Sequence, residues 1–256
     1  MPEHDPDHAA PAWLTAGGTV DEVLGLLKTG KEAEVFAVER RTLDGRLSAT
    51  LAHKRYRPQS VRKGDLEAEG FSRARTFTDD ARYRAGTGFS SSRDRRAVER
   101  RSAHGRRLLA ERWHRQEYAA LCRAHAAGLT VPYPVELSGD GIVMQFIGDG
   151  GVAAPRLVGT RLAPGELAGA LDRLLADVAT LTREGLVHAD LSPYNLLWWR
   201  GGVWIIDFPQ AVDLVLNPEA LDMLHHDVTT VCAWFARRGV ARDPEEVFAG
   251  LLAEAF

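Results

Sequence analysis

The chain has 256 residues, 45% hydrophobic and 26% charged, with a net charge of −3. That length and apolar share suffice for one or two packed domains and exclude a wholly disordered polypeptide. Two cysteines (Cys122 and Cys232) exclude a disulfide scaffold, the N-terminus lacks the basic and apolar regions of a signal peptide, and no apolar run approaches the ~20 residues that cross a bilayer, so a cytoplasmic protein without membrane association is expected.

Residues 1–20 read as a flexible tail. Val23–Leu27 and Val35–Val38 are β-type runs flanking Lys28-Thr-Gly-Lys-Glu-Ala-Glu34, and Asp44-Gly45 is a hairpin signal before a strand from Ala49 to Tyr56. Residues 57–105 show little apolar periodicity, and Gly86-Thr-Gly-Phe-Ser-Ser-Ser-Arg93 reads as a loop inside them. The stretch 54–115 carries 18 Lys/Arg against 8 Asp/Glu, which leaves the rest of the chain acidic. A segment this basic either attracts ribosomal RNA or an acidic partner, or is a solvated insertion of charged helices.

Leu109, Trp113, Glu117 and Leu121 recur every four residues, which predicts a helix with Glu117 on its mainly apolar face. A carboxylate there wants a cationic partner. Val131-Pro-Tyr-Pro134 closes that region, and Gly141–Ile147 reads as a buried strand. A helix from Ala163 to Arg183 leads into Leu186-Val-His-Ala-Asp190-Leu-Ser-Pro-Tyr-Asn195. Leu196–Trp199 and Val203–Ile206 form a hairpin around Gly201-Gly202. The remainder reads as helical, with Leu221, Leu224, Val228, Val231 and Phe235 on one stripe.

The chemistry concentrates in three side chains. Asp190, Asn195 five residues on, and Asp207 after the run Val203-Trp-Ile-Ile have the spacing of a phosphoryl-transfer site. There the first Asp accepts the proton of the attacking hydroxyl, and the Asn and second Asp hold a divalent metal against the phosphates of ATP. Magnesium suits so small a donor set because it keeps water and phosphate oxygens as its other ligands. Lys54, on a strand, is the candidate for clamping phosphates, with Glu117 as its ion-pair partner and Glu111 as a competitor. Gly30 lets the backbone N–H groups of the Thr29-Gly-Lys-Glu-Ala33 loop approach phosphate. His188 is read as orienting the Asp190 loop through backbone contacts.

Thr29-Gly-Lys-Glu-Ala-Glu-Val-Phe36, Leu186-Val-His-Ala-Asp-Leu-Ser-x-Tyr-Asn-Leu-Leu197 and Ile205-Ile-Asp-Phe-Pro-Gln-Ala-Val212 together resemble the RIO family of atypical serine protein kinases. Trp113-x-x-x-Glu-Tyr118, Val131-Pro-x-Pro134 and Val143-Met-Gln-Phe-Ile-Gly148 resemble it as well, and the likeness runs from about residue 23 to 240. The resemblance implies an α+β, two-lobed, protein-kinase-like fold: an N-lobe over 21–147 with its basic insertion at about 57–105, and a truncated C-lobe over 148–256. It implies ATP with Mg²⁺, or Mn²⁺ as the other metal, bound by Thr29, Gly30, Lys31, Glu32, Ala33, Lys54 and Glu117. Asn195 and Asp207 would be the metal ligands and Asp190 the catalytic residue. Met144, Gln145, Phe146 and Ile147 would read adenine through backbone groups, and Asp207 would be open to transient phosphorylation in an ATPase-like cycle. Autophosphorylation on serine is implied too, with Ser90, Ser91 and Ser92 as candidates beside arginines.

Departures from that family are Pro193 in place of an acidic residue and Gln145 in place of Glu. Only 49 residues follow Asp207, without an Ala-Pro-Glu motif, and Ala189 stands where many kinases carry Arg. A site assembled without activation-loop phosphorylation is therefore expected. Two other functions fit the same motif: a small-molecule phosphotransferase of the aminoglycoside or choline type, and a nucleotide-binding scaffold with negligible turnover. The basic insertion and the Thr29–Ala33 loop argue against the former, the complete catalytic set against the latter.

Overall fold

In the computed structural model the described residues are 10–30, 33–57, 96 and 103–256, with side chains of the first long helix described from His114 onward. Strands β1 (Thr19–Thr29), β2 (Ala33–Thr42) and β3 (Ser48–Tyr56) form a meander. With β4 (Pro134–Leu137) and β5 (Gly141–Gln145) they make one antiparallel sheet in the order β1-β2-β3-β5-β4. The expected Asp44-Gly45 turn is present: Asp44 Oδ1 accepts from Thr42 Oγ1 at 2.6 Å, and Gly45 takes the positive φ of 68° that such a turn requires.

Alternation assigns the two faces of this sheet different jobs. Leu51 and Val143 point outward and bury Leu14, Tyr133 and Val135. The turn Ala12–Leu14, expected within a flexible tail, is one turn of 3₁₀ helix with Leu14 buried in that cluster. The apolar pair Trp13-Leu14 gives it a reason to dock. Arg40, itself buried, pins the same corner: its guanidinium takes Asp21 through two bonds of 2.7 Å, Glu136 at 3.2 Å and the Leu14 carbonyl at 2.9 Å. With every direction satisfied, the buried charge stays protonated and its pKa is raised.

Helix α1 (Ala103–Ala126) packs on β4 and β5 beneath the other face. Glu117 and Leu121 are buried as their spacing predicts; the side chains of Leu109, Glu111 and Trp113 lie outside the described residues, as do residues 58–95 with Ser90, Ser91 and Ser92. Strand β5 ends at Gln145, two residues before the expected boundary. Phe146-Ile147 leads into a short ladder of β6 (Gly148–Asp149) with β7 (Val152–Ala153).

The second half is built on α2 (Pro164–Arg183), α3 (Ala220–Ala236) and α4 (Pro244–Ala255). Pro164 opens α2 while Glu166 reaches back to the Ala163 N–H at 2.9 Å. Leu167, Leu171, Leu174 and Val178 then form one apolar stripe in the same core as Leu224, Val228, Val231 and Phe235 of α3, and both helices pack on α4. Leu221, expected on the latter stripe, is 41% exposed, and Asp227 falls within it instead. The helical tail expected as a unit divides at Gly239, after which Asp243 caps α4 by accepting the Glu245 N–H at 2.9 Å. Two small ladders complete the architecture: β8 (Leu186–Val187) with β11 (Val212–Asp213), and β9 (Leu196–Trp199) with β10 (Gly202–Ile205). The latter turns at Arg200-Gly201, both with positive φ, one residue earlier than expected.

The α+β expectation holds, with a sheet-rich half carrying one main helix and a mostly helical half. The principal core is continuous from Ile142 and Leu121 through Leu174 to Phe235, so the halves share apolar packing.

Candidate active site

Strand pairing delivers the cation. Lys54 is opposite Val35 on one side and Ile142 on the other, in a central strand, so its side chain projects from the face that bears the main core. It is 8% exposed, and its ammonium donates to Glu117 Oε1 at 2.6 Å and to Asp207 Oδ1 in a close contact. Burial would discharge this amine, yet the two carboxylates outweigh burial and hold its pKa above the usual lysine value. Glu117, not Glu111, is therefore the partner seen. Its other oxygen accepts the Tyr56 hydroxyl, whose ring stacks on His114 with centroids 3.5 Å apart. Burial and then the Lys54 charge push His114 down to about 4, so it is neutral at pH 7.

Asp207 follows β10 at φ 73°, an uncommon conformation for a residue with a side chain. Burial alone raises its carboxyl pKa; Lys54, then Lys28 and His188, reverse this and leave it below the ordinary value. The strand end is laced to the Asp190 loop by two bonds. Ile206 N donates to the Asn195 carbonyl at 3.0 Å, and Ile206 O accepts from His188 Nε2 at 3.2 Å. A carbonyl only accepts, so His188 carries its proton on Nε2, and burial lowers its pKa toward the neutral ring. The contact is to backbone, the kind expected of it from the sequence.

Asp190 lies on the loop between β8 and β9, after Ala189 at φ 65°. The Asn195 amide donates to the Asp190 carbonyl at 2.8 Å and to its Oδ2 at 2.9 Å. Since Nδ2 is committed, Oδ1 is the atom of Asn195 with lone pairs for a cation. The bends around Asp190 are held from below by Asp227 of α3, which accepts the N–H groups of Ala189 and Leu191, both at 2.8 Å. Burial pushes the Asp227 carboxyl up to about 7 against the lowering effect of those two bonds.

The other expected residues fall into three groups. Thr29 ends β1, Gly30 N donates to Ala33 O at 2.8 Å, and a Cβ on Gly30 would sit 3.0 Å from that oxygen, so the turn is built close to backbone. Lys31 and Glu32 lie outside the described residues. Met144, opposite Ala52, is on the cleft face of β5, whereas the Gln145 side chain is spent on the Tyr133 N–H at 3.2 Å and its own N–H on the Tyr133 carbonyl at 2.9 Å. Phe146 and Ile147 are buried, and the Ile147 carbonyl accepts from Ala154 N at 2.9 Å.

Sequence reasoning missed Tyr56 and Asp227. A signal for Asp227 was available: it is a carboxylate inside the apolar stripe Leu224–Val228–Val231, the same pattern that drew attention to Glu117. Among the described residues no group of three or more His, Cys, Asp or Glu could hold a metal unaided. Asn195 and Asp207 offer two oxygens, a set that fits magnesium completed by phosphate and water. The arrangement is chemically able to receive an anion at Lys54, a hard cation at Asp207, and a hydroxyl at Asp190.

Residues 75–247 match the sequence model of the RIO domain. Serine/threonine-protein kinase RIO1 of Caenorhabditis elegans is 34% identical over 228 residues, which are 89% of this chain and 40% of that protein. Serine/threonine-protein kinase RIO3 of Mus musculus is 32% identical over 238 residues, 92% of this chain and 43% of that protein. RIO-type serine/threonine-protein kinase Rio1 of Haloferax volcanii is 31% identical over 245 residues, 95% of this chain and 73% of that protein. The chain thus spans well under half of the two animal relatives and about three quarters of the archaeal one. With its sheet-and-helix architecture and a match covering most of its length, the chain belongs to the RIO family.

Proposed function

We propose that this protein is an ATP- and Mg²⁺-dependent serine/threonine protein kinase that also phosphorylates itself. The observation that carries this reading is Lys54, held at one point between Glu117 and Asp207 while Asn195 fastens Asp190 alongside. Serine/threonine-kinase naming of the relatives agrees with it.

In this reading Lys54 contacts the phosphate chain, and Glu117 keeps its ammonium in the cleft during nucleotide exchange. The turn from Thr29 to Ala33, including Lys31 and Glu32, covers the phosphates through backbone N–H groups, and Met144–Ile147 line the adenine end. Asn195 Oδ1 and Asp207 would hold Mg²⁺, with Mn²⁺ as a substitute. The metal neutralises charge developing on the phosphates when it is bound. Asp190 accepts the proton of the attacking serine hydroxyl as its oxygen bonds to the γ-phosphorus; the bond from that phosphorus to the bridging oxygen breaks, and ADP leaves. The division at residues 147/148 between two lobes, a cytoplasmic location, and a basic insertion at 57–105 that meets RNA or an acidic protein belong to the same reading. Among the described residues no helix is long and apolar enough to cross a membrane.

The test is incubation with γ-labelled ATP and Mg²⁺, following phosphoprotein and free phosphate. Wild type should label itself on serine, and Asp190→Asn should lose most transfer while binding ATP nearly as well. Labelling of an aminoglycoside or small alcohol without phosphoprotein would replace the proposal with a small-molecule phosphotransferase. ATP binding without turnover would replace it with a scaffold.

A further inference from the structure

Arg156 stands outside every motif considered so far, yet the fold places it beside the site. Its backbone bridges antiparallel to Leu197, two residues past Asn195. The neighbours on both sides are stitched to the same loop and strand: Trp198 N donates to Pro155 O at 2.9 Å, and Val158 N donates to Pro193 O at 3.1 Å. The residue is partly exposed, but its Nη2 is out of water and has no hydrogen-bond partner. A desolvated guanidinium N–H without an acceptor is costly, and Arg40 shows how this same protein satisfies a buried arginine when nothing else is to bind there.

Lys28 approaches from the sheet. It pairs with Val35, and Val35 pairs with Lys54, so Lys28 and Lys54 share one row on the same face, two strands and therefore roughly 10 Å apart. The β1–β2 register shifts between Leu26 and Lys28, and that bulge decides which face Lys28 takes. Crowding by protein, and then the positive charge of Arg156, lower the Lys28 pKa, while Asp207 works in the opposite direction. Lys28 thus lies within electrostatic reach of both.

We infer that Arg156 and Lys28 are phosphate-binding residues of the nucleotide site, one on each side of the cleft, and that they make the protein read the length of the polyphosphate. The inference rests on the ATP site proposed above. A phosphate oxygen is the acceptor that Nη2 lacks, and a planar guanidinium matches phosphate geometry. Two cations from opposite walls can both be satisfied by a chain of phosphates but not by a bare nucleoside. The nucleotide would then join sheet and loop through charge as well as through Lys54.

Calorimetric titration with ATP, ADP and adenosine, and melting with and without each, test this on wild type, Arg156→Gln and Lys28→Gln. ATP affinity should fall about tenfold in each variant, equivalent to about 1.4 kcal/mol, with adenosine affinity unchanged. Without nucleotide, Arg156→Gln should melt no lower than wild type, since a buried N–H group without an acceptor has been removed, while its ATP-induced rise in melting temperature shrinks. Equal losses for ATP and adenosine, a lowered melting temperature without nucleotide, or ATP affinity unchanged in both variants would overturn the inference. If wild type itself binds no ATP, the proposed function fails, and this inference with it; if wild type binds and the variants match it, only this inference fails.

Discussion

Asn195 gives both hydrogens of its amide to one residue, bonding the carbonyl of Asp190 at 2.8 Å and its carboxylate at 2.9 Å. The second bond is charge-assisted and selects one rotamer of the proposed base. Substitution separates this positioning from metal binding. Asn195→Asp keeps an oxygen for a cation but opposes Asp190 with a second carboxylate, which raises the pKa of one of the pair. Transfer should fall by about 10²–10⁴, and the acid limb of the pH–rate profile should move to higher pH. An unmoved limb at near-normal rate would remove Asn195 from any part in orienting Asp190.

The Lys54–Glu117 pair predicts a stability effect. Removing the charge of Glu117 leaves a buried ammonium with Asp207 alone and disturbs the Tyr56 hydroxyl as well. Glu117→Gln should cost about 3 kcal/mol, the low end for breaking a buried pair because one carboxylate remains. Tyr56→Phe should cost about 1 kcal/mol. Denaturant unfolding reads both, and equal costs would mean that the hydroxyl, not the ion pair, carries the stabilisation.

Asp227 touches no reacting group in the proposed mechanism, yet it shapes the loop that does. An amide has one acceptor where two backbone N–H groups need two, so Asp227→Asn points an NH₂ at one of them. Stability should drop by about 2 kcal/mol and transfer by at least tenfold, with ATP affinity nearly unchanged. A variant that binds ATP tenfold more weakly would show that Asp227 supports the nucleotide site rather than the base.

Two buried carboxyls contribute stability that grows toward acid, opposed over the same range by His53, His114 and His188, whose pKa values burial lowers. Burial raises Asp177, whose carboxylate accepts the Thr130 N–H at 3.4 Å, from 3.8 to about 6, and raises Asp227 from 3.8 to about 7. A raised carboxyl means the folded state holds its proton more tightly than the unfolded chain. The stabilisation is therefore complete below about pH 4 and is lost as pH rises through 6 and 7. Asp177→Asn should flatten the lower part of that slope by about 2 kcal/mol, discounting for partial exposure. Urea midpoints from pH 4.5 to 8 measure it; an unchanged slope would clear Asp177.

The sequence displayed the chemistry more openly than the geometry that serves it. Lys54, Glu117, Asp190, Asn195 and Asp207 were legible because a charged or amide group at the edge of an apolar run is locally unusual. Leu14 was not, because a two-residue apolar cluster in a polar terminus acquires meaning only when Arg40 and the outer sheet face stand opposite it. Tyr56 and Arg156 were invisible for a related reason: a tyrosine ending a strand and an arginine in a loop are ordinary until their neighbours are known. Element ends moved by one or two residues at Gln145 and Arg200, where backbone geometry rather than side-chain pattern decides.

The alternation that aims Lys54 into the cleft also limits how this gene can change in length. An extra residue in the turn Leu43–Leu47 only enlarges a loop and leaves every pairing from Ser48 onward in place. The same residue inserted between Thr50 and Leu51 rotates Lys54 to the outer face and presents His53 to Glu117 and Asp207 instead. The candidate site is specified by counting along β3 as much as by the identity of its lysine, so a deletion of one codon there should be as damaging as replacing the lysine itself.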